Sequence, residues 1–339
     1  MRVGLSAWSF SGLHPRAGRG LDPRSLEGLM ELARAHGLAG VEGPPDWFDG
    51  MSPAGRRSLR HRLEARGLAL FLDTGSDDYA ADISSLTRTL DLAAELGAPV
   101  VRTTLTRLLE GDRRALGRQG CQAFLQALVE PLKRASDHAG QVGVEIGIEN
   151  HQDLCSQELA WLCGQVGSER LGVTMDVGNA YASGETCLAF ARQLRPFLKH
   201  VHLKDYRVHP AESGYRLVRC ALGDGLVDWA AMLAWFQAES PGVQGCIELG
   251  ATTARHVRLL EPDWWETWPE RPFLPGAVEA LADLHRAARP AAEEWRTPHE
   301  RGQPPGLCAA WEMEQFEASV RFLRGLAGGI PIVREVARG

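Results

Sequence analysis

With 339 residues, 44% of them apolar and 24% charged, the chain has the ordinary globular composition needed for one large domain or two small ones. A net charge of -6 and a pI near 6.0 argue against a partner chosen mainly for its phosphates, such as duplex DNA. The opening MRVGLSAWSFSG lacks the basic-then-apolar plan of a signal peptide, and no apolar run reaches the roughly 18 residues of a membrane span, so a cytoplasmic location is expected. Seven cysteines are scattered without a CxxC pair and read as reduced thiols.

Strand-like and helix-like runs alternate along the chain. The first strand is expected at Val3–Trp8. An amphipathic stretch through Leu26, Leu29, Met30, Leu32 and Ala33 follows. Strands are then expected at Gly40–Glu42, Ala69–Asp73 and Val100–Thr104. Between the last two, Leu86, Leu90, Ala93 and Leu96 recur at helical spacing. Phe124, Leu125, Leu128, Val129 and Leu132 mark another helix. Strands at Gly143–Asn150, Gly172–Val177, His200–Lys204 and Gly245–Leu249 complete the set. Gly37, Gly67 and Gly97 sit where helices should stop.

Eight strand–helix repeats in residues 1–290 have the count and length of a (β/α)8 TIM barrel. An open doubly wound sheet usually carries GxGxxG after its first strand, and SAWSFSGLH is not that. Two stretches fall outside the repeat. Residues 255–275 hold Trp264, Trp265 and Trp268 and follow the eighth strand. They are either a structural loop on the barrel rim or a lid over the substrate. Residues 291–339 read as a C-terminal arm with one helix, Ala309–Leu326, packed on the barrel or on a second subunit. A homo-oligomer is expected.

Four strands end in an acid or a histidine: GIENHQD at Glu149, VTMDVGN at Asp176, KHVHLKD at His202 and GCIELG at Glu248. In a barrel the C-terminal ends of strands converge on one face. Three carboxylates gathered there would repel or take up protons unless a cation joined them. An oxygen-rich set with one imidazole suits Mn2+ first, with Mg2+, Co2+ and Zn2+ as alternatives. Taken singly, each residue also has a plain reading as a cap, an ion-pair partner or a core histidine.

The motifs IENH, DVGN, HVHLKD and the late IEL resemble those of the sugar phosphate isomerase/epimerase family, the xylose-isomerase-like TIM barrels. That resemblance implies a metal held by Glu149, Asp176, His202 and Glu248 and a small carbohydrate substrate. It also implies an isomerase or epimerase in which Glu149 and Glu248 move a proton through an enediolate. A metal-dependent lyase, either a dehydratase or a C-glycoside-cleaving subunit, is the alternative on the same site. His151 shares strand parity with Glu149 and is a candidate acid or base. Trp8, Arg102, Asn179 and Lys204 are candidate substrate contacts. Asn179 stands where ketose 3-epimerases commonly carry a histidine, which counts against that particular activity. Asp205 is expected to orient a ligand or start a loop. The turn Leu222–Trp229 either presents amides to an anion or is a plain turn leading to a helix capped by Asp228.

Overall fold

All eight expected strands are present in the computed structural model, which describes residues 1–11, 22–75, 77–269 and 273–326. They are β1 (Arg2–Ser6), β2 (Gly40–Gly43), β3 (Ala69–Thr74), β4 (Val100–Thr103), β5 (Glu145–Glu149), β6 (Leu171–Asp176) and β7 (Leu198–Leu203), with β10 (Gln244–Ile247) as the eighth stave. Between β7 and β10 lie the hairpin strands β8 (Asp205–Ala211) and β9 (Gly214–Cys220). The barrel is parallel and closed, running from β1 through β7 to β10 and back to β1. Gly4 pairs with Cys246, and Cys246 with His202, so closure puts β7, β10 and β1 in one register.

The helices follow the apolar spacing. They are α1 (Leu26–Ala35), α2 (Pro53–Arg66), α3 (Ser84–Leu96), α4 (Gly117–Val142), α5 (Ser156–Val166), α6 (Cys187–Leu194) and α7 (Trp229–Glu239). In α1, Ser25 accepts from Gly28 N, and Leu29, Met30 and Ala33 are buried against the strands. In α2, Ser52 caps a proline-led first turn, and Gly67 closes the helix in the left-handed region at φ 65°. Each fully buried leucine of such a face contributes about 2 kcal/mol through removal of apolar area from water. A separate small cluster of Phe71, Val100 and Cys246 forms beside this core. The Phe71 ring lies 4.4 Å from that of His200, at the foot of the site.

One insertion departs from the repeat. The β8–β9 hairpin is joined by β11 (Arg255–Val257) in an antiparallel sheet of order β11-β9-β8. Along the hairpin, Tyr206, Val208, Tyr215 and Leu217 are buried. Asp205 organises the connection to α7. Its carboxylate accepts from Gly223 N, Val227 N and Trp229 Nε1. A Cβ on Gly225 would lie 2.1 Å from Asp205 Oδ1, so this position requires glycine. The amides of the Leu222–Trp229 turn that reach a carboxylate therefore serve Asp205, an internal anion. Asp228 caps α7 at Ala231 N, as expected.

The tryptophans after the eighth stave are structural. Trp264, in α8 (Pro262–Glu266), and Trp268 are fully buried, and Arg113 stacks over Trp268 at 4.0 Å. Gly111 adopts φ +67° where a Cβ would meet the Trp264 ring at 2.6 Å. Of the two readings of this stretch, the structural loop fits Trp264 and Trp268, which pack inward against the β4–α4 loop. The remainder of that stretch includes residues 270–272, which lie outside the described residues. After α9 (Phe273–Ala287), the arm carries α10 (Pro305–Leu326), four residues longer at its start than Ala309–Leu326. This helix docks on the chain's own barrel. Glu312 accepts from Ser11 N, Gln315 accepts from Arg219, and Phe316 packs edge-on against Phe10. Residues 327–339 of the arm lie outside the described residues. No described helix is long and apolar enough to cross a membrane.

Candidate metal centre

Glu149 ends β5, Asp176 ends β6 and His202 lies near the end of β7, all fully enclosed. One donor atom from each lies within 4.8 Å of the other two. Glu149 Oε1, Asp176 Oδ1 and His202 Nδ1 are buried and have no hydrogen-bond partner. A buried polar atom without a partner costs free energy, and three residues that each keep one while clustering this closely suit a shared cation. Two carboxylates and an imidazole match the donor chemistry of a divalent metal.

His202 is oriented from behind. Glu42, at the end of β2 and fully buried, places one oxygen 2.9 Å from His202 Nε2 and the other 2.9 Å from His200 Nε2. A carboxylate this close behind an imidazole favours the tautomer with its proton on Nε2, which leaves the lone pair on Nδ1. That Nδ1 faces Glu149, at 3.6 Å from Oε2. Burial disfavours charge on Glu42, but the two imidazoles outweigh it, led by His202, and hold its carboxyl well below the usual range. Glu42, His200 and His202 also meet the distance criterion for a metal trio. Glu42 already faces both imidazoles, which makes it the orienting carboxylate of His202.

Glu248 stands apart from the donor trio. Its Oε2 is paired with Lys204 Nζ, and its Oε1 accepts from Gly250 N at 2.7 Å. Lys204 also reaches Asp176 Oδ2 at 2.9 Å. Burial raises the Glu248 pKa, but Lys204 and His202 outweigh it and keep the carboxyl ionised. Burial pushes Asp176 up to about 6 despite Lys204. Lys204 itself is held above its ordinary value, because Asp176 and Glu248 outweigh its burial.

Arg102 on β4 donates to Glu149 through Nε and to Asp73 Oδ1 through Nη1 at 2.6 Å. Burial pushes Asp73 up to about 7, opposed by Arg102. His151 lies beyond β5, and its Nδ1 is buried without a partner. Burial first, then the charges of Arg102 and Lys204, hold its imidazole well below the usual range and therefore neutral.

Trp8, Arg102, Glu149, His151, Lys204 and Glu248 line one cavity of about 560 Å³ at the strand ends. Trp8 does not end β1 as expected. It sits in a 3-10 turn at Ala7–Ser9 and is 37% exposed. Asn179 is the predicted contact that does not reach this cavity. It is buried, donates to Asp176 Oδ2 at 2.8 Å, and accepts from Gln152 and Tyr206 OH. Its place is behind Asp176, where it fixes the carboxylate. A larger cavity of about 810 Å³ lies away from this chemistry, among Tyr181, Met232 and Asp283.

Sequence reasoning left Glu42, Asp73, Gln152 and Tyr206 out of the site. Glu42 and Asp73 carried a signal, an acid at the end of an apolar strand. Gln152 takes a positive φ of 70°, which no local motif announces.

Residues 30–267 match the family model described as Xylose isomerase-like TIM barrel, and the chain belongs to that family. The 3-oxo-isoapionate decarboxylase of Pectobacterium atrosepticum is 25% identical over 236 residues, covering 68% of this chain and 79% of that protein. Among solved structures, D-psicose 3-epimerase from Clostridium cellulolyticum H10 superposes with a TM-score of 0.58 at 15% identity, covering 85% of this chain and 98% of that one. The IolI protein, solved with a bound zinc atom, superposes with a TM-score of 0.55 at 15% identity, covering 85% and 96%. At these identities the structural likeness establishes the fold.

Proposed function

We propose that this chain is a divalent-metal-dependent enzyme that isomerises or epimerises a sugar or sugar-like polyol by moving a proton beside a carbonyl. The observation that carries the reading is the clustering of Glu149, Asp176 and His202, with one donor atom of each within 4.8 Å of the others and each residue keeping a buried atom without a hydrogen-bond partner, beside a cavity of sugar size that Glu149 lines. A divalent ion held by these residues, with Mn2+ the first candidate, would polarise a carbonyl and acidify the adjacent C–H.

The chain's own groups supply the rest. Glu149 and Glu248 reach the cavity from separate staves, Glu149 paired with Arg102 and Glu248 with Lys204, which favours the ionised form of Glu248. An ionised carboxylate is the form that accepts a proton. Two such groups on different walls allow removal at one face and return at another. His151, held neutral, accepts or relays a proton at its partnerless Nδ1. Trp8 offers a ring face at the mouth for the C–H side of a sugar.

A lyase is the second reading. It is favoured by Lys204, whose protonated ammonium lies beside Glu248, where it suits a departing hydroxyl oxygen or the enolate oxygen left when CO₂ departs. The name of the decarboxylase relative points the same way.

The test is incubation of the Mn2+-loaded protein in D₂O with a panel of ketoses and ketose acids. Deuterium at the carbon next to the carbonyl, with isomer formed, supports the first reading. Loss of water or CO₂ without isomer replaces it with the second. Neither product, together with no Mn2+ uptake, refutes both.

A further inference from the structure

The metal centre and its glutamates account for the floor of the 560 Å³ cavity and leave its rim unexplained. Five cationic side chains line the cavity, Arg24, Arg102, Arg107, Lys204 and Arg255, against two acidic ones, Glu149 and Glu248. Two of the five are already committed to carboxylates: Arg102 to Glu149 and Asp73, Lys204 to Asp176 and Glu248. The other three have no carboxylate partner among the described residues. Arg24 spends Nη1 on Phe10 O and lies over the Trp8 ring at 4.5 Å. The side chains of Arg107 and Arg255 make no hydrogen bond or ion pair among the described residues.

These three arginines arrive from separate places. Arg24 precedes α1, Arg107 follows β4, and Arg255 opens β11, where its backbone pairs with Leu217 of the inserted hairpin. The inserted sheet therefore fixes Arg255 at the mouth. Its charge is felt at His151, where it adds to the effects that keep that imidazole neutral. Three like charges around one opening repel each other, in a chain whose net charge is -6. Guanidinium forks match carboxylate and phosphate oxygens in shape as well as charge.

We infer that Arg24, Arg107 and Arg255 form an anion subsite of this cavity, and that the substrate is a sugar derivative carrying a carboxylate or phosphate that these arginines bind. This rests on reading the cavity as the active site, and it holds for either outcome of the chemistry.

The experiment is calorimetric titration of the full chain, with and without Mn2+, using two matched pairs of probes. One pair is D-gluconate against D-glucitol, and the other is D-ribulose 5-phosphate against D-ribulose. At least one anionic probe should bind tenfold or more tightly than its neutral counterpart, with affinity falling as salt rises. The variant Arg107→Ala/Arg255→Ala should lose about tenfold per arginine for that probe and leave Mn2+ uptake unchanged. Preference for gluconate assigns a carboxylate, and preference for the phosphate ester assigns a phosphate. The inference is overturned if neither anion outbinds its neutral partner, or if the double variant keeps the preference. The two readings fail separately. A missing anion preference with intact Mn2+ uptake sinks the subsite alone. Absent Mn2+ uptake sinks the metal reading, and the metal-free titration still decides the rim.

Discussion

Replacing Glu42 should weaken metal binding although Glu42 holds no place in the donor trio. Its two oxygens lie 2.9 Å from the Nε2 atoms of His200 and His202. With both Nε2 atoms protonated, the Nδ1 lone pair of His202 faces Glu149 and Asp176. Glu42→Gln offers one oxygen and one NH₂ to the same two rings, so one imidazole must switch tautomer or turn. If His200 adapts, the loss is small; if His202 does, its Nδ1 carries a proton and cannot ligate. Glu42→Ala removes the constraint altogether. Changes to such orienting carboxylates cost about 10- to 100-fold in metal affinity, or roughly 1.4–2.7 kcal/mol. Expected losses are near the lower figure for Gln and near the upper for Ala. Calorimetric Mn2+ titration reads this without any substrate, and circular dichroism checks that the barrel is intact. An unchanged Mn2+ Kd in a folded Glu42→Ala protein would refute the tautomer argument.

Three further outcomes are expected. Glu185 is buried and accepts from Ser156 N at 2.9 Å, and burial lifts its pKa to about 7. Its folded pKa lies above its unfolded one, so stability should fall as pH rises from about 4.5 to 7, by about 3 kcal/mol at most. Urea denaturation should show Glu185→Gln flattening that slope; an unaltered slope would discard the assignment. Arg113 is fully buried, paired with Glu158 at 2.6 Å and stacked on Trp268, so Arg113→Ala should cost about 3–5 kcal/mol by stranding the carboxylate. A loss under 1 kcal/mol by the same method would contradict this. Mn2+ at a hundredfold excess over its Kd should stabilise the wild type by about 2.7 kcal/mol, and chelation should remove that gain and the turnover together; equal stability with and without the ion would count against a folded-state metal site.

The barrel was legible in the sequence because each stave is a short apolar run ending before glycine-stopped helices, and period and punctuation are local properties. That Glu149, Asp176 and His202 sit together at strand ends was legible for the same reason. What escaped was set by distance across the barrel. Glu42 sits in a strand of four residues, GVEG, and its meaning comes from His200 and His202 on a non-adjacent stave. Glu248 reads as a ligand by motif, and its side chain here pairs with Lys204, a partner no local pattern announces. The β8–β9 hairpin was hidden because Arg219 puts a charge on its inward face and His209 and Pro210 interrupt the first strand, although Arg207 and Arg216 keep the alternation. Asn179 pointed to substrate by position in a motif, yet its donors and acceptors are consumed by Asp176, Gln152 and Tyr206. The tryptophans after β10 were ambiguous because aromatic content does not say which way a loop folds.

The scarcity of lysine has a practical side. Lys204, one of three lysines, is only 3% exposed and locked between Asp176 and Glu248; Lys199 is held by Glu145 and the Glu169 carbonyl, which leaves Lys133 as the most exposed side-chain amine. Lys133 lies on the outer helix α4, and Lys199 lies near the start of β7, at the end of the barrel opposite the cavity. Amine coupling to a sensor surface would therefore tether the protein by its side or its base. In either case the coupling chemistry would spare the cavity, whose one amine is locked in ion pairs.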